Sequence, residues 1–282
     1  MLVQRIVTAV VLLAILLPAL LASAAWPFAL LTLALIGAAG WEWARLNGSS
    51  GWAARGWGLG LGVAGALAWP ALTGGAAFGS LAPLWDVALL VWVIGGALAL
   101  RAGVPSWPRV PASARLGLGL ALLAIAGLAL MASRARGLNY LMSVFCLVWV
   151  ADVAAYFGGK AFGRRKLALG ISPGKSWEGA WTGLAGVLLL AFVWSWADAR
   201  FASPDPSLYS LLLQRGGTPA LVLGALFLGA LSIVGDLFES LVKRSAGAKD
   251  SSALLPGHGG VLDRIDALLP VLPLALALAS PR

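Results

Sequence analysis

Long apolar segments dominate this sequence and limit what it can fold into. A helix needs about 20 mainly apolar residues to span a bilayer, and a backbone in lipid must satisfy its own hydrogen bonds. The apolar segments are continuous and do not alternate with polar residues, which favours helices over a barrel. We identify nine such segments, at residues 6–22, 26–44, 57–72, 83–100, 116–133, 138–157, 178–197, 218–240 and 261–280. They predict an all-α polytopic membrane protein with about nine transmembrane helices.

The composition agrees with this class. Hydrophobic residues make up 60% of the chain and charged residues 11%, whereas soluble domains carry about 25% charged residues. The net charge of +9 does not indicate nucleic acid, because the basic residues of membrane proteins collect on the cytoplasmic side. We therefore expect no nucleic-acid partner. Cys146 is the one cysteine of the sequence, which excludes an intrachain disulfide.

The positions of the basic residues predict the orientation. With a cytoplasmic N-terminus, fifteen of the 20 lysines and arginines lie on the inner side, as the positive-inside rule requires. The C-terminus then lies outside. The five outer residues are Arg134, Arg136, Arg200, Arg215 and Arg282. Arg134 and Arg136 are a local exception to the rule.

The first and last apolar segments have features of their own. The first resembles a signal peptide, since Arg5 precedes an apolar run that ends in small residues. The next apolar segment follows almost at once, so we favour a retained first helix. The last segment contains Pro270 and Pro273, and we expect it to kink.

Acidic residues are scarce and concentrate near the C-terminal end. Five of the eleven acids fall within residues 236–266, together with the one histidine, His258. Charged groups at membrane depth are costly and usually mark a functional site. The alternative is that these charges only flank two helices, and it is weaker because Asp236 lies inside the eighth apolar segment. The five acids are Asp236, Glu239, Asp250, Asp263 and Asp266.

The spacing of these residues indicates the chemistry. Asp236, Glu239 and Lys243 share one face of a helix near its inner end. After a polar, glycine-rich segment, Asp263 and Asp266 open the last helix. Carboxylates from adjacent helices suit a Mg²⁺–nucleotide site, because Mg²⁺ prefers oxygen ligands and retains substrate phosphates. Taken alone, Asp263 would be a helix N-terminal acid; the presence of Asp236 makes that interpretation weaker.

A second polar stretch covers residues 158–177. It contains Gly174-Lys175-Ser176, which is similar to the end of a phosphate-binding loop. The pattern G-x-x-x-x-G-K-[ST] requires a glycine where Leu169 stands, so we reject a nucleotide-hydrolase domain. The positive-inside rule accounts for basic residues in a cytoplasmic loop, but it does not account for every polar residue here. The alternative is that the loop binds substrate. The residues that the rule leaves unexplained are Ser172, Lys175, Ser176 and Glu178.

Together these motifs resemble the phosphatidate cytidylyltransferase family. Residues 240–266 read S-L-V-K-R-x₄-K-D-x₅-P-G-H-G-G-V-L-D-R-I-D, which looks like the family signature. Upstream, Asp152-x₃-Tyr156 and the stretch I-S-P-G-K-S-W-E-G at 171–179 also resemble the family. The resemblance covers roughly residues 140–270 by motif and the remainder only by hydropathy. We therefore divide the chain into about five N-terminal transmembrane helices (1–137) and a catalytic transmembrane region (138–282) with cytoplasmic loops 158–177 and 243–260.

The resemblance implies a reaction in which CTP and phosphatidic acid give CDP-diacylglycerol and pyrophosphate. It implies Mg²⁺ as cofactor, with one or two ions, and a monovalent cation is an option. It also implies a homodimer surrounded by membrane lipid in a bacterial inner (plasma) membrane.

The spacing and the resemblance give the candidate site residues. The expected catalytic residues are Asp236, Lys243, His258 and Asp263. The expected metal ligands are Asp236, Glu239, Asp263 and Asp266. The expected substrate-binding residues are Asp152, Ser172, Lys175, Ser176, Glu178, Ser240, Arg244, Lys249, Asp250 and Arg264. The role of His258 is open: general acid–base catalysis is one option, although a phosphate monoester needs little activation as a nucleophile.

Two other function classes are alternatives. A cytidylyltransferase for another lipid phosphate, or a lipid kinase of similar architecture, would have a similar site. A transporter or channel would explain buried charges by a permeation path. It would not explain why acids, glycines and the histidine crowd one inner loop and its two flanking helices.

Overall fold

The structure is a computed structural model that describes residues 2–72 and 81–280. These residues form ten α-helices: α1 (Leu2–Leu21), α2 (Trp26–Leu46), α3 (Gly51–Leu72), α4 (Ala82–Ala102), α5 (Ala112–Arg136), α6 (Leu138–Phe162), α7 (Trp177–Phe201), α8 (Leu208–Ser245), α9 (Leu262–Ile265) and α10 (Leu268–Ala279). A π-helical turn, Val91–Gly96, lies within α4, and a 3₁₀ helix, Val104–Arg109, follows it. Two short strands, β1 (Lys166–Ala168) and β2 (Ser172–Ser176), form an antiparallel hairpin between α6 and α7. The sequence analysis did not predict this hairpin.

Each predicted apolar segment lies on a helix, and the ninth is divided between α9 and α10. In the described part of the chain, six helices are long and apolar enough to cross a membrane, namely α2, α4, α5, α6, α7 and α8. A shorter apolar helix, Ile6–Leu21, lies near the N-terminus. The prediction of an all-α, multi-pass membrane protein is therefore confirmed, while the count of nine crossings stays a prediction.

The last two helices are separated at Asp266 and Ala267. Pro270 lacks a backbone N–H and cannot bond to the carbonyl of Asp266 one turn earlier, which interrupts the helix. That carbonyl lies against Gly235 of α8, where an added Cβ would come within 2.6 Å of it. The break therefore brings the beginning of the last segment close to α8, and Pro273 is accommodated inside α10.

Helix packing positions the inner ends of α6, α7 and α8. Glycines on α7 allow its backbone to approach α6 closely, as small residues do in membrane bundles. A Cβ at Gly179 or Gly183 would lie 2.8 Å from the carbonyl of Ala155 or Ala151. Helix α8 packs against both α7 and α10, and α10 is almost fully buried. Helices α6, α7 and α8, which carry seven of the sixteen candidate site residues, are thus in direct contact.

Arg134 and Arg136, the two local exceptions to the positive-inside rule, bind the ends of helices. Arg134 donates hydrogen bonds to the carbonyls of Leu20 (3.1 Å) and Ala22 (3.2 Å). Arg136 donates to the carbonyl of Ala279 (3.2 Å) and the hydroxyl of Ser280 (2.9 Å). The final carbonyls of a helix lack intrahelical partners, so these side chains supply donors to groups that the helix itself leaves unpaired. Arg282, which was also predicted to lie on the outer side, is not among the residues that the structure describes.

Candidate active site

The predicted site residues lie at the end of the bundle where α6 and α8 terminate. The hairpin is fixed to the start of α7 there. Ser176 caps α7, accepting a hydrogen bond from the backbone N–H of Gly179 (3.1 Å). The Glu178 carboxylate accepts from the N–H groups of Arg164 (3.0 Å) and Arg165 (3.2 Å). These contacts hold the basic end of α6 beside β2, so two predicted substrate-binding residues, Ser176 and Glu178, have structural partners.

Lys175 and Asp236 join the two motif regions. Lys175 extends from β2 and forms an ion pair with Asp236 on α8, and both side chains are partly buried. The Ser240 hydroxyl also lies near Asp236, with its Oγ 3.4 Å from Oδ1. The carboxyls of Asp152 and Asp266 are close enough to Asp236 to repel it electrostatically. The structure therefore brings together acids from α6, from α8 and from the start of the last segment.

A cavity of about 500 Å³ opens beside this ion pair. Its polar walls are formed by Asp152, Tyr156, Lys160, Lys175, Ser176 and Asp236. Its apolar walls include Ala151, Ala155, Leu167, Ala180 and Ile233. On the adjoining face of α6, Trp149, Val153 and Phe157 are exposed, as expected of a surface in contact with lipid. We call this space the amphipathic cavity. Ser172, at the start of β2, is not among its lining residues.

Lys243 is the centre of a buried charge cluster next to the cavity. Its Nζ lies 2.6 Å from Oε2 of Glu239 and 2.5 Å from Oδ1 of Asp263. The three side chains are 12%, 2% and 6% exposed, respectively. Buried charges of this kind persist only when they are paired. Two predicted metal ligands, Glu239 and Asp263, are thus partners of one lysine.

The second oxygen of Asp263 holds the loop that precedes it. Oδ2 accepts hydrogen bonds from the N–H of Ser251 (2.9 Å), the hydroxyl of Ser251 (2.9 Å) and the N–H of Gly260 (2.7 Å). Gly259 has a φ of 83°, a conformation that glycine adopts without steric cost. A Cβ at Gly259 would also lie 2.6 Å from Oδ2 of Asp263. The glycines of the signature therefore allow the loop to wrap around this carboxylate.

A second cavity of about 610 Å³ lies within residues 249–263, the segment that runs into the first turn of α9 and that we call the signature loop. We call it the basic cavity, and its polar lining residues are Gln4, Lys249, Asp250, Ser252, His258 and Arg264. Backbone at Gly257 and Gly259 completes the wall. The Nδ1 atom of His258 is buried and has no hydrogen-bond partner within the described ranges. Arg264, on the wall of this cavity, is also close enough to Asp152, on the wall of the amphipathic cavity, for an electrostatic interaction.

Arg244 is the predicted substrate-binding residue least integrated into these spaces. Its guanidinium is exposed and donates to the carbonyl of Ala248 at 3.4 Å. It lines neither the amphipathic nor the basic cavity. Its expected contact with substrate stays a prediction.

Glu42 on α2 is a site residue that the sequence analysis missed. Its carboxylate is fully buried and accepts four hydrogen bonds from the signature loop. The donors are Ser251 Oγ (3.1 Å), Ser252 Oγ (2.5 Å), Val261 N (3.0 Å) and Leu262 N (2.7 Å). The available signal was an acid inside the second apolar segment, where charge is costly. It was overlooked because it lies far along the chain from the acidic cluster.

The carboxylates leave room for a magnesium ion, although no preformed cage exists. Across residues 2–72 and 81–280, no group of three or more His, Cys, Asp or Glu side chains is arranged to hold a metal. Mg²⁺ in nucleotide sites uses one or two carboxylates, with substrate phosphates and water as the other ligands. Asp236 faces the amphipathic cavity, and Asp266 accepts a single hydrogen bond, from Ala267 N (2.7 Å). This donor set fits Mg²⁺ at Asp236 and Asp266, while Glu239 and Asp263 are engaged by Lys243.

Comparison with known proteins shows the family of the chain. Residues 3–280 match the model of the cytidylyltransferase family. The chain is 40% identical over 285 residues to a phosphatidate cytidylyltransferase from Pseudomonas aeruginosa, covering 99% of this chain and 97% of the relative. It is 47% identical over 138 residues to the enzyme of that name from Haemophilus influenzae, covering 49% of this chain and 44% of the relative. A Bacillus subtilis enzyme with the same name is 40% identical over 137 residues, 49% of this chain and 46% of the relative. The match along almost the whole length means that the chain belongs to the cytidylyltransferase family.

Proposed function

We propose that CTP and phosphatidic acid meet at the junction of the amphipathic and basic cavities. The chain is a phosphatidate cytidylyltransferase, as the full-length relationship shows, and its products are CDP-diacylglycerol and pyrophosphate. The observation that carries the proposed site is the Lys175–Asp236 ion pair. It joins the two motif regions beside a cavity that has both apolar and charged walls.

The amphipathic cavity suits the lipid substrate. Its alanine, leucine and isoleucine walls lie next to the exposed lipid-facing surface of α6, so acyl chains can remain in the bilayer while the headgroup enters. Lys160 and Lys175 line the same space and offer cationic donors to a phosphate. A water-filled nucleotide pocket would have no need of the apolar wall.

The basic cavity suits the nucleotide triphosphate. Lys249 and Arg264 supply positive charge there, and the glycine backbone permits close approach of phosphate oxygens. His258 adds an imidazole whose buried Nδ1 atom has no hydrogen-bond partner among the described residues. Because Arg264 also interacts with Asp152 of the amphipathic cavity, the triphosphate would reach toward the lipid phosphate at this boundary.

The reaction is a nucleotidyl transfer between two anions. A phosphatidate oxygen attacks the α-phosphorus of CTP and forms a new P–O bond. The bond from that phosphorus to the oxygen bridging the α- and β-phosphates breaks, and pyrophosphate leaves with the electron pair. Lys175, Lys249 and Arg264 reduce the repulsion between the substrates and orient them in line. His258, which lines the basic cavity, would hold a phosphate oxygen through an imidazole N–H.

Magnesium is the cofactor that these residues would accept. When bound, it supplies charge neutralisation and alignment of phosphate oxygens. Asp236 and Asp266 would hold it, and Lys175 would then move from Asp236 to a substrate phosphate. Asp263 could become a ligand only when Lys243 leaves its Oδ1 atom. This assignment allows one ion or two, and leaves a monovalent cation as an option.

The proposed orientation has nine crossings and a cytoplasmic N-terminus. Hydrogen bonds group the ends of α1, α5 and α10 through Arg134 and Arg136, and group α2 with the signature loop through Glu42. If successive apolar segments cross the membrane in alternating directions, these two groups lie at opposite ends of the bundle, which supports nine crossings. Labelling from either side of the membrane tests this in a Cys146→Ser background: we expect Gly170→Cys to react from the cytoplasm and Pro204→Cys from outside. Reaction of both from the same side would contradict it.

The setting that we propose is the inner membrane of a bacterium, with the protein as a homodimer. The bacterial relatives support the first part. Crosslinking in native membranes tests the second, and a monomeric species at all crosslinker concentrations would contradict it.

Product analysis tests the proposed site. Purified protein in detergent–lipid micelles receives phosphatidic acid, CTP labelled at the α-phosphate, and Mg²⁺. We expect label in the lipid phase and pyrophosphate in equal amounts, loss of both when Mg²⁺ is removed, and slower formation of both in Asp236→Asn. Label transfer to a different lipid phosphate, or phosphate transfer from the γ-position, would favour the related cytidylyltransferase or lipid kinase. CTP binding without either product would favour a transporter.

A further inference from the structure

We infer that Glu42 is a positioning residue that holds the signature loop in its working conformation. This role rests on the proposed function, because the loop forms the basic cavity and carries Asp263. Glu42 itself touches neither cavity, so it would act through the loop and not on substrate. The inference gives the amino-terminal region a part in catalysis beyond anchoring.

The contacts of Glu42 join the two ends of the loop. Its carboxylate receives hydroxyl donors from Ser251 and Ser252, at the beginning of the loop, and backbone donors from Val261 and Leu262, at its end. Two carboxylate oxygens provide about four acceptor positions, and the loop fills them with four donors. Lys249, His258 and Arg264 project from the loop or from directly beside it. A single side chain of α2 therefore sets the distance between the two loop ends.

A carboxylate is the group that this position requires. Each oxygen of Glu42 accepts from one backbone N–H, that of Val261 or Leu262, and an N–H cannot accept, so the NH₂ group of an amide there would face one of these donors. A buried charge is also costly unless it is fully hydrogen-bonded, and bonds from a donor to an ionised group are the strong ones. The space is closed as well, since a Cβ at Gly260 would collide with Ser251 and Glu42. The loop thus closes around this one acid.

The first helix adds a separate contact to the same loop. Thr8 donates from Oγ1 to the carbonyl of Pro256 at 2.8 Å, and Gln4 lines the basic cavity. These contacts reach the middle of the loop, where Glu42 does not. The amino-terminal helices therefore touch the loop at its beginning, its middle and its end.

The test compares Glu42→Gln with Thr32→Val. Thr32 is also buried on α2 but bonds only to the carbonyl of Phe28 within its own helix, so it controls for a polar change on that helix. Steady-state kinetics would be measured with CTP varied, together with thermal unfolding and hydrogen exchange of residues 250–262. A displaced catalytic loop of this kind can cost about 100-fold in rate. We expect Glu42→Gln to lower kcat/KM for CTP by about that factor and to speed exchange at Val261 and Leu262, and Thr32→Val to do neither. Glu42→Asp, which restores the charge, should recover part of the loss.

The outcomes separate positioning from simple stability. Wild-type kinetics and wild-type loop exchange in Glu42→Gln would overturn the inference. The inference would also be overturned if Glu42→Gln sped hydrogen exchange throughout the helices and Thr32→Val lowered kcat/KM by the same factor. Those two results together would mark a structural role only. If Glu42→Gln does not fold, Ser252→Ala removes one donor and leaves Glu42 in place, and unchanged loop exchange there would likewise overturn it. Hydrogen exchange does not depend on turnover, so a failure of the proposed reaction would be seen separately, in the wild-type assay.

Discussion

Glu42 and Asp263 accept hydrogen bonds from the same hydroxyl, that of Ser251. Ser251 Oγ lies 3.1 Å from Oε2 of Glu42 and 2.9 Å from Oδ2 of Asp263, although the two acids are near opposite ends of the chain. A serine hydroxyl carries one proton, so the two carboxylates share it. The buried acid of α2 and the signature acid of α9 are therefore linked through one side chain.

Removing the shared hydroxyl should destabilise the protein. Ser251→Ala takes a donor from two carboxylates at once, and hydrogen bonds to charged groups contribute about 1.5–3 kcal/mol. We expect a lower unfolding temperature in micelles. Ser245→Ala is the matched control, since that hydroxyl only bonds back to the carbonyl of Val242 at 2.7 Å in its own helix. Equal shifts in the two variants would contradict the shared bond.

Lys243 should contribute to the stability of the fold as well as being a candidate catalytic residue. Lys243→Met keeps the aliphatic stem but leaves Glu239 and Asp263 buried without a cation. Breaking a buried pair in this way costs about 3–5 kcal/mol, measurable as a loss of unfolding free energy. The adjacent Arg244→Met removes an exposed charge and should change stability by less than about 0.5 kcal/mol. Similar values for the two variants would show that the buried cluster carries no such energy.

Lys175 should affect substrate use more than stability. Its ion pair with Asp236 is partly exposed, and such pairs contribute at most about 1 kcal/mol. Lys175→Met should therefore unfold near the wild-type temperature but raise KM for phosphatidic acid by about 10-fold or more, because a phosphate loses a charged donor. Lys166→Met, an exposed change on the other strand of the hairpin, is the control. A wild-type KM in Lys175→Met would argue against lipid binding in the amphipathic cavity.

Magnesium dependence should report on Asp236. Chelation should abolish turnover, and added Mg²⁺ should restore it, since hard oxygen ligands of this kind suit that ion. In Asp236→Asn we expect the Mg²⁺ concentration for half-maximal activity to rise by about 10-fold, the range seen when metal sites lose supporting groups. Asp205→Asn, at the opposite end of the bundle, should leave the titration unchanged. An unchanged titration in Asp236→Asn would remove this residue from the metal site.

Hydropathy predicted the all-α, multi-pass architecture well. The nine apolar segments coincide with helices because length and apolarity are local properties that a bilayer enforces. Lys175 and Asp236 come from motifs far apart in the chain, yet both were expected at the inner end, and the structure pairs them.

The remaining features depend on partners that sequence order does not reveal. Glu42 stood alone in an apolar segment, and its four donors come from the other end of the chain. Arg134 and Arg136 contradicted the charge rule because they cap helix ends. The hairpin has no alternating pattern that predicts strands; its form depends on Glu178 holding the preceding backbone.

The contact between Gly235 and the Asp266 carbonyl has a consequence for the two proposed metal ligands. Asp236 and Asp266 each adjoin this contact, so the separation of their carboxylates is set where two backbones touch without a side chain between them. A Cβ at Gly235 would lie 2.6 Å from that carbonyl and 2.9 Å from Pro270, and α8 and α10 would have to move apart. Gly235→Ala is therefore a way to widen the proposed ion site without removing any charged group.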